Sequence, residues 1–497
     1  MEFIRNFPLF CIIACLLSAV ITSALRGGAA RKVTLCLLAL MTAMHACVLY
    51  HTISLGDAET FMMGHFPSPW GNEIRFGIVE PLLSGVFSFV MFLSVLGGKP
   101  NLVADIDSGK MNIYYTMLDL VQAAMISLAY TNDIFTGYVF IEICTLSSCG
   151  ILMIRQVGRT TLAAIRYMIF SLLGSGLFLL GVILLYGVTG HLLMPGLRES
   201  VAALWATGEY RTSLTVIIGL ITMGLSIKSG LFPFHFWMPD TYGYSTPTSS
   251  AILSGIISKG YIFFLIKLIF SVFGTDVYYA SGAQNILFVL GVIAIIVGSI
   301  SAIHENDINR MTAFSSAAQI GYVFMGIGLS PTSGILAALF HIVFHAITKP
   351  SLFLSAARLS AVSRGSKKFS DLQGAAHRDA LAGVCFTVGA FSMVGIPMFA
   401  GFVSKYLFAV GALESGWKML PTLIALAVST ILNTVYFLRT VVRICTPSAE
   451  DNGERASWKK YLSCTISGVV FIVINLAVGL YSKPLIELLE NGIKLLG

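Results

Sequence analysis

Charge is what this sequence lacks most. Only 11% of its 497 residues are Asp, Glu, Lys or Arg, whereas a soluble domain carries about 25%. A chain this long and this poor in charge cannot dissolve in water as folded domains, and with 56% apolar residues and a mean hydropathy of +0.84 it belongs in lipid. Metal-site cysteine patterns are missing as well: the nine cysteines form no CxxC and no Cys/His ligand spacing. Most of them (Cys11, Cys15, Cys36, Cys144, Cys149, Cys385, Cys464) fall in apolar stretches, where a thiol behaves as a small hydrophobe, so no disulfide framework is expected. No Gly-rich phosphate loop and no strand pattern is expected either, which leaves nucleotide, flavin and iron–sulfur sites without support. No cofactor and no metal is therefore expected.

What is present is a repeating apolar window of roughly 18 to 25 residues, the length of a bilayer-spanning helix. About fourteen such windows can be counted: 8–25, 33–52, 77–98, 111–130, 133–153, 163–188, 212–236, 247–273, 285–303, 311–329, 333–360, 381–412, 419–443 and 461–482. The reading is an all-α polytopic membrane protein. The first window follows Arg5 but has a poor small-residue cleavage site and a second span close behind, so it reads as helix one and not as a signal peptide. Pro484 to Leu496 is short and amphipathic and suits the membrane interface.

The net charge of +7 is a statement about orientation. Most of the 31 Lys and Arg fall at one set of alternate loops, including Arg26, Arg31 and Lys32, Arg155 and Arg159, Arg364, Lys367, Lys368 and Arg378, and Arg455, Lys459 and Lys460. The positive-inside rule makes that side cytoplasmic and puts both termini outside. The basic balance gives no reason to expect nucleic acid as a partner.

The chemistry-bearing residues are the few charges inside the spans. Five lysines lie there: Lys228, Lys259, Lys267, Lys349 and Lys405. A bilayer-centred ammonium costs about 3 kcal/mol on insertion scales, so an intramembrane lysine reads as functional unless a static ion pair explains it. Lys267 stands near a span end and is expected to snorkel to the interface. Span seven is interrupted by Gly230 and Pro233 just after Lys228, and span twelve by Gly395 and Pro397 before Lys405, so both helices are expected to be broken. Discontinuous helices in corresponding positions of two halves point to inverted repeats around an ion pathway. The halves are read as 111–273 and 285–443, after an N-terminal unit 1–110 and before 444–497.

Glu142 lies mid-span and must be neutralised by a nearby cation if it is to stay ionised. Paired with one of the lysines it makes a switch, because separating the two changes the affinity of the lysine for its proton. In span eleven, His341, His345 and Lys349 recur every four residues and share one helix face, the spacing of a hydrogen-bonded relay. Zinc or haem is the alternative for the histidine pair, but zinc would want a third ligand and usually a carboxylate base, and none is adjacent. Glu80 could feed a pathway or be interfacial; Asp119, four residues after Tyr115, could feed a pathway or be held by a tyrosine or serine. His235, Trp237 and Asp240 read as a rigid turn with an aromatic at the interface.

Five ordered motifs resemble a known family: KSGLFPFHFWMPDTY from Lys228, SGIISKGYIFF from Ser254, AFSSAAQIGYVFMGIGL from Ala313, HIVFHAITKPSLFL from His341 and MVGIPMFAGFVSKYLF from Met393. The resemblance is to the antiporter-like subunits of respiratory complex I, of Mrp cation/proton antiporters and of membrane-bound hydrogenases, and it spans roughly residues 110 to 445. It implies fourteen helices, two inverted five-helix repeats, and a midplane row of charges. Glu142 matches the family's glutamate of helix five, Lys228 the lysine of broken helix seven, and Lys259 the connecting lysine of helix eight. His341 and His345 match the histidines of helix eleven, and Lys405 the terminal charge of broken helix twelve. That last position is glutamate in one complex I subunit and lysine in the others and in D-type Mrp subunits. PSPWGNEIRFGIVEPLLS, from Pro67, is similar to the lead into helix three of the Mrp and hydrogenase kinds. The chain is too short for the long lateral helix of the largest family members, so a D-type or hydrogenase-associated subunit fits better.

The expectation is a proton-translocating subunit of a multisubunit complex in a prokaryotic cytoplasmic membrane, with other membrane subunits and the lipid bilayer as its partners. The redox-driven kinds are a hydrogenase or NADH dehydrogenase; the alternative is Na+/H+ antiport in an Mrp complex with no redox partner. A stand-alone solute symporter and a redox enzyme with its own haem or quinone are rival classes.

Overall fold

The computed structural model describes residues 3–63, 66, 71–447 and 462–497. Pro67 to Trp70 of the lead into helix three, and the basic residues Arg455, Lys459 and Lys460, lie outside the described residues. Among those described, twelve helices are long and apolar enough to cross a bilayer. Every backbone group in a span must be satisfied within the span, which is why the apolar windows become helices.

In chain order, α1 (Phe7–Ala24), α2 (Gly27–Leu55), α3 (Val79–Gly97) and α4 (Met111–Tyr130) form the N-terminal group. They are followed by α5 (Ile134–Met153), α6 (Gly158–Thr189), a surface helix at Met194–Thr207, and α7 (Arg211–Ser229) with its continuation Trp237–Tyr244. α8 runs from Pro247 to Phe273. The second half holds α9 (Ala283–His304), α10 (Ile308–Leu329), α11 (Ser333–Ala361), α12 (Ala380–Val394), α13 (Ala400–Leu413) and α14 (Met419–Cys445). α15 (Leu462–Leu480) and α16 (Ser482–Lys494) close the chain.

The two expected breaks are present and have local causes. α7 ends on Gly230 in the left-handed conformation (φ +80°), and α12 ends on Gly395 in the same conformation (φ +86°). Glycine adopts that region without a Cβ penalty, and the proline that follows each one cannot continue the helix.

One expectation is corrected here: the chain does contain strands. β1 (Glu59–Met62) and β2 (Glu73–Phe76) pair antiparallel between α2 and α3. Outside the spans the backbone is free to pair in extended form, and a hairpin of two four-residue strands is too short to show as an apolar alternation. Its outer end is tied down by the C-terminus. The Arg75 guanidinium donates to the carbonyls of Leu495 (2.9 Å), Leu496 (3.1 Å) and Gly497 (2.9 Å), satisfying carbonyls at the end of α16.

The core of the bundle is α8, α10 and α11, and α11 is buried along its length. α1, α6, α9 and α15 present apolar side chains such as Leu17, Leu172, Ile286 and Val473 outwards, as lipid-facing helices do. Small residues let the inner helices approach. A Cβ on Gly174 of α6 would lie 2.7 Å from the Gly224 carbonyl oxygen and 2.7 Å from Cγ of Lys228, both on α7. A Cβ on Gly255 of α8 would lie 2.7 Å from Cγ of Pro350 on α11. These close approaches bring the lysines of α7 and α8 against their neighbours.

The second half is fastened by a largely buried ion pair. Asp379 caps the start of α12, accepting from the Ala382 N–H at 3.1 Å, and its two oxygens take the Arg358 guanidinium at the end of α11 at 2.8 and 2.9 Å. Breaking such a pair leaves one buried charge unmatched.

Two outcomes test this packing. Gly174→Val should lower stability by about 1–3 kcal/mol because α6 and α7 must separate; an unchanged thermal midpoint of the purified protein would contradict the close approach. Asp379→Ala should cost about 3–5 kcal/mol, and adding Arg358→Leu should recover part of the loss. Equal destabilisation in the single and double variants would show that the pair is not what joins α11 to α12.

Candidate functional site

An ammonium buried in lipid needs an acceptor for each of its three hydrogens, and Lys228 has a full set. It is 1% exposed. Its Nζ donates to Oγ1 of Thr145 (2.8 Å), to Oγ of Ser175 and to the Ser171 carbonyl (3.3 Å). The Glu142 carboxylate is further off, with Oε1 at 3.7 Å, and the Tyr261 ring lies beneath the ammonium at 5.5 Å. The expected glutamate–lysine pair is therefore in place, but as a loose ion pair over a cradle of neutral oxygens. Such a lysine keeps its hydrogen bonds whether or not the glutamate stays close.

Tyr261 is two residues from Lys259 on α8. α8 carries a π-helical turn at Leu253–Ile257, an irregularity often found at functional positions. The turn leaves the Ser254 carbonyl available to the Lys259 ammonium, which has no carboxylate partner among the described residues. Ser254 in turn shares a hydrogen bond of 2.9 Å with Ser316 of α10.

Lys259 lies within electrostatic reach of His341, His345 and Lys349 on α11. The three α11 residues are 2% exposed or less, and the two imidazoles are 5.9 Å apart between centroids. His341 stacks on Tyr322 at 5.4 Å, and its Nδ1 is 2.7 Å from Oγ of Ser404. Its Nε2 and both nitrogens of His345 have no partner among the described residues, so bridging water is the physical expectation there. Lys349 donates to the Thr312 carbonyl (3.0 Å) and to Ser315, both on α10, and faces the Phe437 ring at 5.9 Å.

Lys405 ends the row on α13. Its Nζ donates to the Val394 carbonyl at 2.6 Å and to Oγ1 of Thr430 at 2.7 Å. Val394 is the last residue of α12, so the break exposes a carbonyl at the negative end of a helix dipole and the lysine occupies it.

The structure thus gathers Glu142, Lys228, Lys259, His341, His345, Lys349 and Lys405 into one succession across the bundle. Both ends reach the surface: Glu142 keeps 24% of its side chain exposed, and Lys405 is half-buried. Sequence reading missed the neutral acceptors Thr145, Ser171, Ser175, Ser315, Ser404 and Thr430. The available signal was hydroxyl residues inside apolar spans, which is where helix-to-helix hydrogen bonds form, although Ser171 accepts through its backbone carbonyl.

Lys267 departs from expectation. It does not snorkel: it is fully buried, donates to the Ala129 carbonyl at 2.7 Å, and lies 3.8 Å from Glu80, itself fully buried. The β1–β2 hairpin and the C-terminus cover that end of α8, so no water surface is within its reach. Glu80 is accordingly not interfacial, and Asp119 is held by serine and threonine, accepting from Ser18 (2.7 Å) and Thr22 (3.3 Å). Trp237 is 3% exposed and packs on Tyr167 at 5.1 Å, so it faces the core, and its neighbour Phe236 is the exposed aromatic of the turn. Asp240 of the same turn bridges Arg166 and Arg310.

Among known proteins, NADH-quinone oxidoreductase subunit N of Desulforudis audaxviator is 31% identical over 417 residues, covering 83% of this chain and 80% of that protein. The D-type subunit of the Na(+)/H(+) antiporter of Bacillus subtilis is 24% identical over 389 residues, covering 78% and 76%. Among solved structures, a chain of the Mrp complex from a Dietzia species superposes with a TM-score of 0.87 at 24% identity, covering 100% of this chain and 98% of that one. A chain of the archaeal membrane-bound sulfane sulfur reductase superposes with a TM-score of 0.88 at 22% identity, with the same coverage. Residues 131–432, which hold every member of the row, match the family described as NADH:quinone oxidoreductase/Mrp antiporter, TM, and the chain belongs to that family of multi-pass membrane subunits.

Proposed function

We propose that the chain moves protons through the row from Glu142 to Lys405, as one subunit of a larger membrane complex. The observation that carries this reading is the row itself: buried amines resting on neutral oxygens, two buried imidazoles between them, less buried members at both flanks and a single carboxylate. Neutral acceptors allow each lysine to lose and regain its proton without stranding a counter-charge. Sodium is a poorer cargo for the same row, because a file of ammonium groups repels a metal cation and already occupies the oxygens that would cage it.

The Glu142–Lys228 pair acts as the gate. With glutamate near, Lys228 holds its proton; when the glutamate is drawn off, the buried lysine releases it towards Lys259. His341 and His345 then carry it between Lys259 and Lys405, with Lys349 setting the field beside them. Residues 111–273 and 285–443 serve as two half-channels of opposite topology, a reading supported by the paired breaks at Gly230 and Gly395. With the basic loops cytoplasmic, both termini face outside. A neighbouring membrane subunit meets the Glu142 or Lys405 flank and supplies the drive. That drive is a redox reaction or an ion gradient; if sodium is exchanged, it passes elsewhere in the complex.

In the intact complex reconstituted into vesicles, Lys228→Ala and Glu142→Ala should each abolish coupled ion transport with assembly unchanged. Wild-type transport in both variants would sink the proposal. Ser404→Ala removes the one hydrogen bond that His341 makes among the described residues and should slow transport about tenfold, the lower range for losing a partner that orients a functional histidine. Ser404→Thr, which keeps the hydroxyl, should restore most of the rate; equal loss in both variants would place the effect in packing.

A further inference from the structure

Unpartnered buried polar atoms are not confined to the row. A second set occupies the N-terminal helices α1–α4, outside the matched family region. Gln122 Oε1 on α4 and His45 Nε2 on α2 have no hydrogen-bond partner among the described residues, while Asp119 Oδ1 and the Tyr130 hydroxyl on α4 and Ser84 Oγ and Glu80 Oε1 on α3 have only loose neighbours, Thr34 for Asp119, Ser84 and Tyr130 for each other, and Lys267 at 3.8 Å for Glu80. Every one of these side chains is 2% exposed or less. Native interiors rarely leave such groups unsatisfied, and a polar, enclosed set of this kind is where buried water resides.

The placement is directional. Asp119, Gln122 and Tyr130 recur on one face of α4, and Glu80, Ser84 and Ser88 on one face of the antiparallel α3. The two faces meet: Gln122 donates to Ser88 at 2.7 Å, and the Tyr130 hydroxyl has Ser84 and Glu80 within interaction range. His45 stacks on Tyr130 at 5.7 Å. Towards the basic-loop end, Tyr115 continues the α4 face and lies in the field of Arg31, which lines a surface cavity of about 600 Å³ between the α1–α2 turn and the start of α4. From Tyr115 to Tyr130 the face extends about 22 Å along the helix axis, most of the thickness of a bilayer core. At the opposite end stands the Glu80–Lys267 pair. Lys267 is two helical turns, about 12 Å, from Lys259 on the same helix α8.

We infer that α1–α4 enclose a hydrated proton-input path, running from the basic-loop end through Asp119, Gln122 and Ser88 to Tyr130 and Glu80, and delivering to α8 at Lys267. Carboxylate, amide and hydroxyl groups follow one another along it, and water bridging them lets a proton cross by exchange of hydrogen bonds with no net chemistry. It assigns roles to Glu80, Asp119 and Lys267 that the row leaves unused. The inference rests on the reading that the chain moves protons, but hydration of the path can be measured separately from transport.

The test uses the intact complex and two measurements. In hydroxyl-radical footprinting by pulsed X-rays, radicals form from bound water, so Tyr115 and Tyr130 should be labelled well above Phe87, which is buried on α3. Gln122→Leu plugs the path without changing charge. It should lower labelling of Tyr130 and abolish transport in vesicles, while Gln122→Asn, which keeps the amide, should restore both. Asp119→Asn, nearly isosteric, repeats the transport arm if Gln122→Leu fails to assemble, and loss of transport is again expected. Absence of labelling at Tyr115 and Tyr130 overturns the inference, as does labelling with wild-type transport in the plugged variant, which would mean static water only. A wild-type rate in Lys228→Ala counts against the row and leaves the footprint of α1–α4 to be judged by itself.

Discussion

Everything in this bundle depends on how an ammonium group is kept in a medium that cannot solvate it. Placing one at the bilayer centre costs about 3 kcal/mol or more, and each hydrogen bond to a charged donor returns about 1.5–3 kcal/mol. Two or three well-placed oxygens therefore offset the penalty, which is the number found at Lys228, Lys349 and Lys405. The helix breaks, the π-helical turn of α8 and the glycine contacts all supply oxygens or bring them within reach. Gly395 ends α12 so that the Val394 carbonyl is free for Lys405, and Gly174 lets α6 approach until Ser171 and Ser175 meet Lys228. Irregular backbone appears where an ion needs an acceptor.

That constraint also separates two kinds of buried lysine in the same chain. Lys267 lies by a carboxylate at 3.8 Å that is as deeply buried as itself, so moving its proton leaves Glu80 exposed to the full electrostatic cost unless another proton arrives. Lys259 rests on a single backbone carbonyl, with no carboxylate beside it among the described residues, and lies near His341, His345 and Lys349 of α11. A pair of the first kind stores a proton and passes it only in exchange. In the proposed pathway a lysine of the second kind is the one that passes it on. The two stand on one helix, eight residues apart.

Much of the row was legible in the sequence because charge is so rare in it. Each intramembrane Lys, His or Glu stands out against an apolar background, and glycine–proline breakers mark the two discontinuous helices. The four-residue spacing of His341, His345 and Lys349 put them on one face of α11, and the structure keeps them there. What could not be read were contacts set by distant parts of the chain. Lys267 lies near the end of its span and by position alone should reach water, yet the hairpin at Glu59–Phe76 and the last three residues cover it through Arg75. The hairpin itself escaped detection because two strands of four residues carry too little periodicity. The hydroxyl acceptors were visible as residues but not as partners, since serine and threonine inside a span more often bond to their own helix, as Ser226 and Ser229 do.

Unsatisfied polar atoms bear on what the N-terminal helices are for. If those helices served only to pad the bundle, their polar groups would be paired within the protein, since an unsatisfied buried group costs about 1–3 kcal/mol. Some are paired that way: Ser18 and Thr22 donate to Asp119, and Ser94 bonds back to its own helix. The open acceptors and donors at Asp119, Gln122, Tyr130 and Glu80 are different in that they fall on facing sides of α3 and α4 and in sequence across the membrane. A set on facing sides of two helices, ending on a buried glutamate–lysine pair whose lysine shares α8 with Lys259, is the arrangement expected when water has to be held in a line.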